Sequence, residues 1–178
     1  MYVTLKMDSG PVIMQKEVKI EDQDTSVTLE EKLRRCGAEL LMDTLKIIES
    51  RSYRLVEQDE DKVILAPKLK KEDGLIDWDS SAVDIHNQIR GLLPWPAAFT
   101  RYRGKMLKIF QADVLPLFPN HKPLPGEVVR VDKNLIVVAC TKGFLAIKEV
   151  QLEAGRRMSA QSFIIGHKLI AGEILGKK

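Results

Sequence analysis

The chain has 178 residues, 44% hydrophobic, 30% charged and 6% aromatic, enough apolar matter to bury one large core or two small ones. No run of about eighteen uncharged apolar residues is present, and MYVTLKMDSG lacks the basic, apolar, small-residue order of a secretory signal, so a membrane or exported protein is not expected and the cytoplasm is. The formal charge of +3 hides an asymmetry: residues 1–67 hold 10 Lys+Arg against 14 Asp+Glu, or −4, and residues 68–178 hold 18 against 11, or +7.

Residues 2–7 and 11–20 are rich in β-branched side chains and are separated by the turn-type triplet Asp8-Ser9-Gly10, which predicts two strands. Val12, Met14 and Val18 alternate with Gln15, Glu17 and Lys19, the pattern of a half-buried strand. Thr28 and Glu31 have the spacing of a capping box, and Leu29, Leu33, Leu40, Leu41, Leu45 and Ile48 recur at three- and four-residue steps. Together they predict a helix from Thr28 to near Ser50, with Cys36 in its core and a kink or close packing contact at Gly37.

Residues 51–79 are dense in charge, with Pro67 and Gly74 among them, and read as an inter-domain linker whose core is 66–79. Ser81 and Asp84 cap a predicted helix with Ile85, Ile89 and Leu92 or Leu93 on its apolar face, stopped by Pro94 and Pro96. Short strand-like runs follow at 106–110, 127–131, 135–139 and 144–147, separated by Gly, Pro, Asn and Asp, a spacing that implies a small barrel or sandwich. Ser159 opens a last helix from Ala160 to about Leu169. The fold class is therefore α/β followed by all-β, divided as 1–65, linker 66–79 and 80–178. Cys36 and Cys140 form no CxxC, and His86, His121 and His167 are scattered, so no metal site or disulfide framework is expected. The charge asymmetry fits a polyanion partner, or two differently charged solvated surfaces.

The string APKLKKEDGLIDW over 66–78, then Ile89-Arg90, Pro94-Trp95-Pro96, Ala98-Phe99, Arg157-Met158-Ser159-Ala160, Phe163 and Gly166-His167 follow one another in a definite order and spacing. That series resembles the methionyl-tRNA formyltransferase family through its linker and C-terminal domain, and Asp8-Ser9-Gly10 is similar to the family's Asp-Thr-Gly or Asp-Ala-Gly turn. The resemblance implies a Rossmann-like formyltransferase domain, a linker and an oligonucleotide-binding-like (OB-like) barrel. It also implies transfer of a formyl group from 10-formyltetrahydrofolate to the amino group of Met on initiator tRNA. By it, this chain holds a remnant of the Rossmann-like domain (two strands and a helix), the linker, and the barrel with a short terminal helix. The family's catalytic Asn and His and its Ser-Leu-Leu-Pro folate motif have no counterpart here, and only its Asp does, at Asp8. The expectation is a chain without the N-terminal catalytic half and most of the folate pocket. It would be a fragment of a longer product, the product of a broken gene, or one half completed by a separate chain, and it would keep tRNA binding without catalysis.

Formyl transfer needs a base, an oxyanion donor and positioning groups. Asp8 is the catalytic candidate by resemblance, while by residue type Asp-Ser-Gly is simply a good turn. Lys68, Lys70 and Lys71 are spaced to meet one phosphate backbone, and by resemblance they approach the tRNA acceptor arm; exposed linkers also carry lysines as ordinary solvation. Arg101, Arg103, Lys105 and Lys108, interleaved with Tyr102 and Phe110, make a basic and aromatic strip in which alternation puts Arg101, Arg103 and Lys105 on one face. A solvated strand face would look the same. Arg156 and Arg157, ahead of the last helix, are further phosphate candidates, and Trp95 is expected to pack the barrel against the preceding helix. Two other readings remain, a non-catalytic RNA-binding module and a sugar-nucleotide or folate-hydrolysing relative; residues 66–78 and 157–160 argue against the relative.

Overall fold

The computed structural model describes residues 1–116 and 123–177, so His121 lies outside the described residues. The chain divides into two compact units, 1–68 and 69–178.

In the first unit, helix α1 spans Ser26–Glu49 and ends on Ser50 as predicted, but it begins earlier than the Thr28–Glu31 spacing implied. Thr25 is the cap: its Oγ1 accepts from the Thr28 N–H at 3.3 Å, while the Thr28 Oγ1 accepts from the Thr25 N–H at 2.9 Å. Two threonines satisfy two orphan donors reciprocally, a box that the Thr28–Glu31 spacing cannot form once Thr28 is already inside the helix. Asp24 reinforces the start by accepting from the Glu21 N–H at 2.8 Å, the Thr28 hydroxyl at 3.1 Å and Lys32 Nζ at 2.6 Å. A Cβ at Gly37 would meet nothing within 4 Å, so the expected packing contact there does not exist. No residue of α1 is buried, Cys36 is only half-buried, and Leu33, Leu41 and Leu45 stand exposed.

The two strands predicted for 2–7 and 11–20 do not form. A strand is stable only as part of a ladder that takes up its N–H and C=O groups, and among the described residues this stretch gains one antiparallel bridge, Val12 with Val56. The polar backbone is satisfied locally instead. Gln58 Nε2 donates to the carbonyls of Asp8 and Gly10 at 2.8 and 2.7 Å, and the Tyr2 N–H donates to the Pro11 carbonyl at 3.0 Å. Gly10 is obligatory in that turn, because a Cβ there would collide with the Tyr2 carbonyl.

In the second unit, helix α2 (Ala82–Gly91) starts as predicted, with the Asp84 N–H donating to Ser81 Oγ at 3.1 Å. Among the described residues six strands follow: β1 (Ala98–Tyr102), β2 (Lys105–Leu115), β3 (Val128–Val131), β4 (Ile136–Ala139), β5 (Phe144–Leu152) and β6 (Arg157–Ser159). Helix α3 (Ala160–His167) closes the series on the predicted Ser159 cap. All strand pairings are antiparallel in the order β1-β2-β5-β4-β3, with β6 also on β5, and among the described residues the sheet is not closed. Leu107, Ile109, Val138, Leu145, Ile147 and Val150 turn inward against Ile85 and Ile89 of α2 and Phe163 of α3. Each such side chain stabilises the unit by about 1.5–3 kcal/mol relative to an exposed one.

The charge-dense stretch before α2 contributes to this core, since Ile76 and Trp78 are both buried. The Ile76 N–H donates to the Phe99 carbonyl at 2.8 Å, and Trp78 Nε1–H donates to Thr100 Oγ1 at 3.0 Å. Gly126 and Gly176 lie against the indole, where a Cβ on either would come within 3.2 Å of the ring. The C-terminal tail runs beside β3: the Val128 N–H donates to the Glu173 carbonyl and the Leu175 N–H to the Gly126 carbonyl, both at 2.8 Å. The Gly176 N–H then reaches the Arg101 carbonyl on β1 at 2.9 Å.

Replacing Thr100 by Val strips the buried indole N–H of its acceptor, a cost of about 1–3 kcal/mol. Urea denaturation followed by tryptophan emission should show a lower midpoint at unchanged slope; an unchanged midpoint would show that the bond contributes nothing. Lys32 and the Glu21 N–H hold the Asp24 carboxyl down to about 2 from 3.8. Since the folded value is the lower one, the stabilisation is complete above 3.8 and is lost as pH falls through about 2. The helical signal should weaken over that window, and Lys32→Met should move the loss to higher pH; a titration identical in the two proteins would disprove the link.

Candidate nucleic-acid interface

The β1–β2 hairpin pairs Phe99 with Lys108, Arg101 with Met106 and Tyr102 with Lys105. Its connection is the two residues Arg103 and Gly104, at φ 48° and 77°, the left-handed pair that a tight hairpin with right-handed twist requires. Cross-strand partners share a face, so Thr100, Tyr102, Leu107 and Ile109 point into the core while Arg101, Met106 and Lys108 point outward; Phe99 lies on their side of the ladder but is buried beside Gly74. The single face expected for Arg101, Arg103 and Lys105 therefore does not exist. Counting by twos assumed one strand running through Gly104; the chain reverses there, leaving Arg103 on the turn and Lys105 opposite Tyr102.

The outward face is continued by β5 and β6. Lys108 pairs with Gln151, and Gln151 with Arg157, so Phe99, Lys108, Gln151 and Arg157 form one row across four strands. Arg157, expected just ahead of the helix, instead opens β6, and its guanidinium lies 4.3 Å over the Phe110 ring while pairing with Glu149. Such stacking fixes the planar fork without consuming all its donors. A shallow depression lined by Met106, Lys108, Gln151, Leu152, Glu153 and Ala154 runs beside the row. Arg101, Lys105 and Lys108 make no ion pair among the described residues, and Arg156 is exposed. Gln151 joins the face through register alone, which nothing in its local sequence marks.

Arg103 is differently placed. It forks onto Glu173 at 3.1 and 2.9 Å, donates to the His167 carbonyl at 3.3 Å and sits 4.9 Å over the Tyr102 ring. Glu173 pushes its pKa further up, and burial raises that of Tyr102. Tyr102 in turn meets Phe163 edge-on at 5.3 Å, so this cluster clamps the hairpin to the tail and to α3.

Lys68 closes the first unit, and Lys70 and Lys71 open the second; all three are exposed. Lys71 begins a one-turn 3-10 helix, Lys71–Gly74, that Gln88 Nε2 holds by donating to the carbonyls of Asp73 and Leu75 at 2.9 and 3.1 Å. Trp95 does not pack as expected: it is 56% exposed, and the packing indole is Trp78. The alternation Gly74, Ile76, Trp78 against Leu75, Asp77, Asp79 carried that signal, masked by the charges around it. Asp8 is exposed at φ 53° on its turn, in the first unit. Among the described residues no group of three or more His, Cys, Asp or Glu could hold a metal ion. Burial pushes the Cys140 thiol up to about 12, which makes it inert as a nucleophile at neutral pH.

Comparison with known proteins places residues 68–168 in the family described as formyl transferase, C-terminal domain. The methionyl-tRNA formyltransferase of Acetivibrio thermocellus is 42% identical over 177 residues, which is 99% of this chain and 57% of that protein. The methionyl-tRNA formyltransferase of Geotalea uraniireducens is 36% identical over 178 residues, covering 100% of this chain and 56% of that protein. The chain thus spans a little over half the length of these curated relatives. Among solved structures, HypX from Aquifex aeolicus in complex with tetrahydrofolic acid superimposes with a TM-score of 0.64 at 16% identity, over 91% of this chain and 28% of that one. WlaRD, a sugar 3N-formyl transferase, does so at 0.56 and 19% identity, over 84% of this chain and 52% of that one. These likenesses show a shared fold.

If the outward row is a polyanion surface, removing Arg101 and Lys108 together (R101A/K108A) should lower the salt needed to elute the protein from heparin. Arg103→Ala should change the elution little and lower the melting temperature instead. The reverse pattern would move the polyanion surface to the clamp.

Proposed function

The chain belongs to the formyl transferase C-terminal domain family, and from that premise we propose that it is the RNA-holding part of a methionyl-tRNA formyltransferase. Such an enzyme moves a formyl group from 10-formyltetrahydrofolate to the amino group of Met on initiator tRNA, in the cytoplasm. The observation that carries the reading is the outward face on which Arg101, Lys108 and Arg157 stand with Phe110. Basic groups track a phosphate backbone and aromatic ones give it apolar contact, the combination that RNA-binding barrels use.

In this reading the second unit is an OB-like barrel, partly open, with a short terminal helix. Its support is the double pairing of β5 and the tail that hydrogen-bonds to both edge regions of the sheet. Residues 1–65 are read as the end of a formyltransferase domain and 66–79 as the linker, in keeping with relatives that align along nearly the whole chain. The proposed RNA contacts are Lys68, Lys70, Lys71, Arg101, Lys105, Arg156 and Arg157, to which the register adds Lys108. Arg103 contributes charge, while its donors hold Glu173 and the hairpin.

The folate supplies the formyl group when bound. The side chains around Asp8 do not fit it unaided: Gln58 spends its amide on the carbonyls of Asp8 and Gly10, and Ser9 and Thr4 bond to one another. Asp8 is proposed as the carboxylate that orients a catalytic His supplied from elsewhere in the longer protein. What these residues do themselves is hold the RNA, and each phosphate neutralised releases counterions, so affinity should fall steeply with salt.

Formylation and tRNA binding followed in the same samples at two salt concentrations test the reading. Salt-sensitive binding without formylation is expected. Formylation by this chain alone, or binding indifferent to salt, would overturn it.

A further inference from the structure

Trp95 is the most exposed large aromatic among the described residues of the second unit: 56% of it is exposed, while Phe99, Tyr102, Phe144, Phe163 and Trp78 are buried and Phe110 is half-buried beneath Arg157. A lone exposed Leu would carry no message, but a flat indole held out by a fixed backbone does. The backbone is fixed from both sides. Pro96, Ala97 and Ala98 are buried, the Ala97 N–H donates to the Leu92 carbonyl at 2.9 Å, and Ala97 is held at φ 64°, a strained value for a residue with a Cβ.

The neighbour of this loop is the lysine-bearing turn. Gly74 abuts the Ala97 carbonyl so closely that a Cβ would collide with it, and Gly74 ends the one-turn helix that Lys71 begins and Lys70 precedes. Gln88 ties that turn to α2, and Leu75 bridges to Phe99 at the start of the sheet. The loop that carries Trp95 and the turn that carries Lys70 and Lys71 are therefore in contact through Gly74 and Ala97, so a stacking plane and two exposed cations belong to neighbouring backbone. That pairing suits a nucleotide in which one face of the base is free and the phosphate lies alongside.

We infer that Trp95, with Lys70 and Lys71, forms a stacking subsite for an unpaired base of single-stranded RNA. The inference rests on the proposed function and deepens it, because it names a nucleotide conformation that the basic face does not distinguish. Bases stacked within a duplex offer their faces to one another and not to the indole, so the subsite selects unpaired over paired RNA.

The chain has two tryptophans, and Trp78 is sealed in the core, so iodide quenching of emission reports Trp95. A short single-stranded oligoribonucleotide should quench Trp95 and shield it from iodide, while the same sequence as a duplex should bind without doing either. Trp95→Ala should weaken binding of the single strand about tenfold and leave the duplex unchanged, with Trp95→Phe restoring most of the loss. Equal quenching by both forms, or a Trp95→Ala protein that keeps its preference for the single strand, overturns the inference while the RNA-holding reading stands. Loss of salt-sensitive binding to any RNA by the wild-type chain overturns that reading itself. A wild-type chain that self-associates through Trp95, and is monomeric as Trp95→Ala, would assign the indole to a protein contact and overturn the inference too.

Discussion

Strand β5 is hydrogen-bonded along both of its edges, to β2 on one side and to β4 and then β6 on the other. One strand therefore sets the phase of the sheet for everything attached to it. Its inward residues Leu145, Ile147 and Val150 meet the side chains of α2 and α3, and its outward residues Glu149 and Gln151 fall beside Lys108 and Arg157. A slip of one residue would exchange the two sets, burying charge and exposing the core at once. The candidate interface and the core are two faces of the same register.

That constraint sorts cations that look alike in composition. Arg103 and Arg157 are both ion-paired, yet the first spends its fork on Glu173 and a carbonyl while the second lies flat on Phe110 with a single carboxylate partner. Exposed pairs of this kind contribute little to stability, about 0–1 kcal/mol, so their value lies in geometry. Arg103 keeps a tight turn against the tail, and Arg157 presents a guanidinium at a fixed height above the sheet. Arg101 and Lys108, with no such partner among the described residues, are the cations on this face with the most to gain from a phosphate.

Local patterns were legible where local chemistry decides the structure. The caps at Ser81 and Ser159 and the runs that became β2 to β5 could be read from residue types alone, because capping and β-propensity act over a few residues. The misreadings occurred where a partner decides. Residues 2–20 have the composition of strands and lack the ladder; Arg101 and Lys105 are separated by a hairpin that Gly104 permits; Trp95 stands exposed, while Trp78 is buried against Gly126 and Gly176, far along the chain. The family resemblance reads order and spacing over a hundred residues at once, and so identified the family where periodicity could not.

The tail has a consequence for how the second unit is assembled in time. Residues 173–176 seal the indole of Trp78 and bond to residues 101, 126 and 128, contacts that span most of the unit. Contacts of such long separation are formed late, after the loop-closure entropy of the intervening chain has been met by the rest of the sheet. A growing chain that has made all six strands would still leave the edge of β3 unpaired and one face of Trp78 bare. Until residues 173–176 dock, that edge is open to proteolysis or edge-to-edge association, and their docking is the latch that closes it.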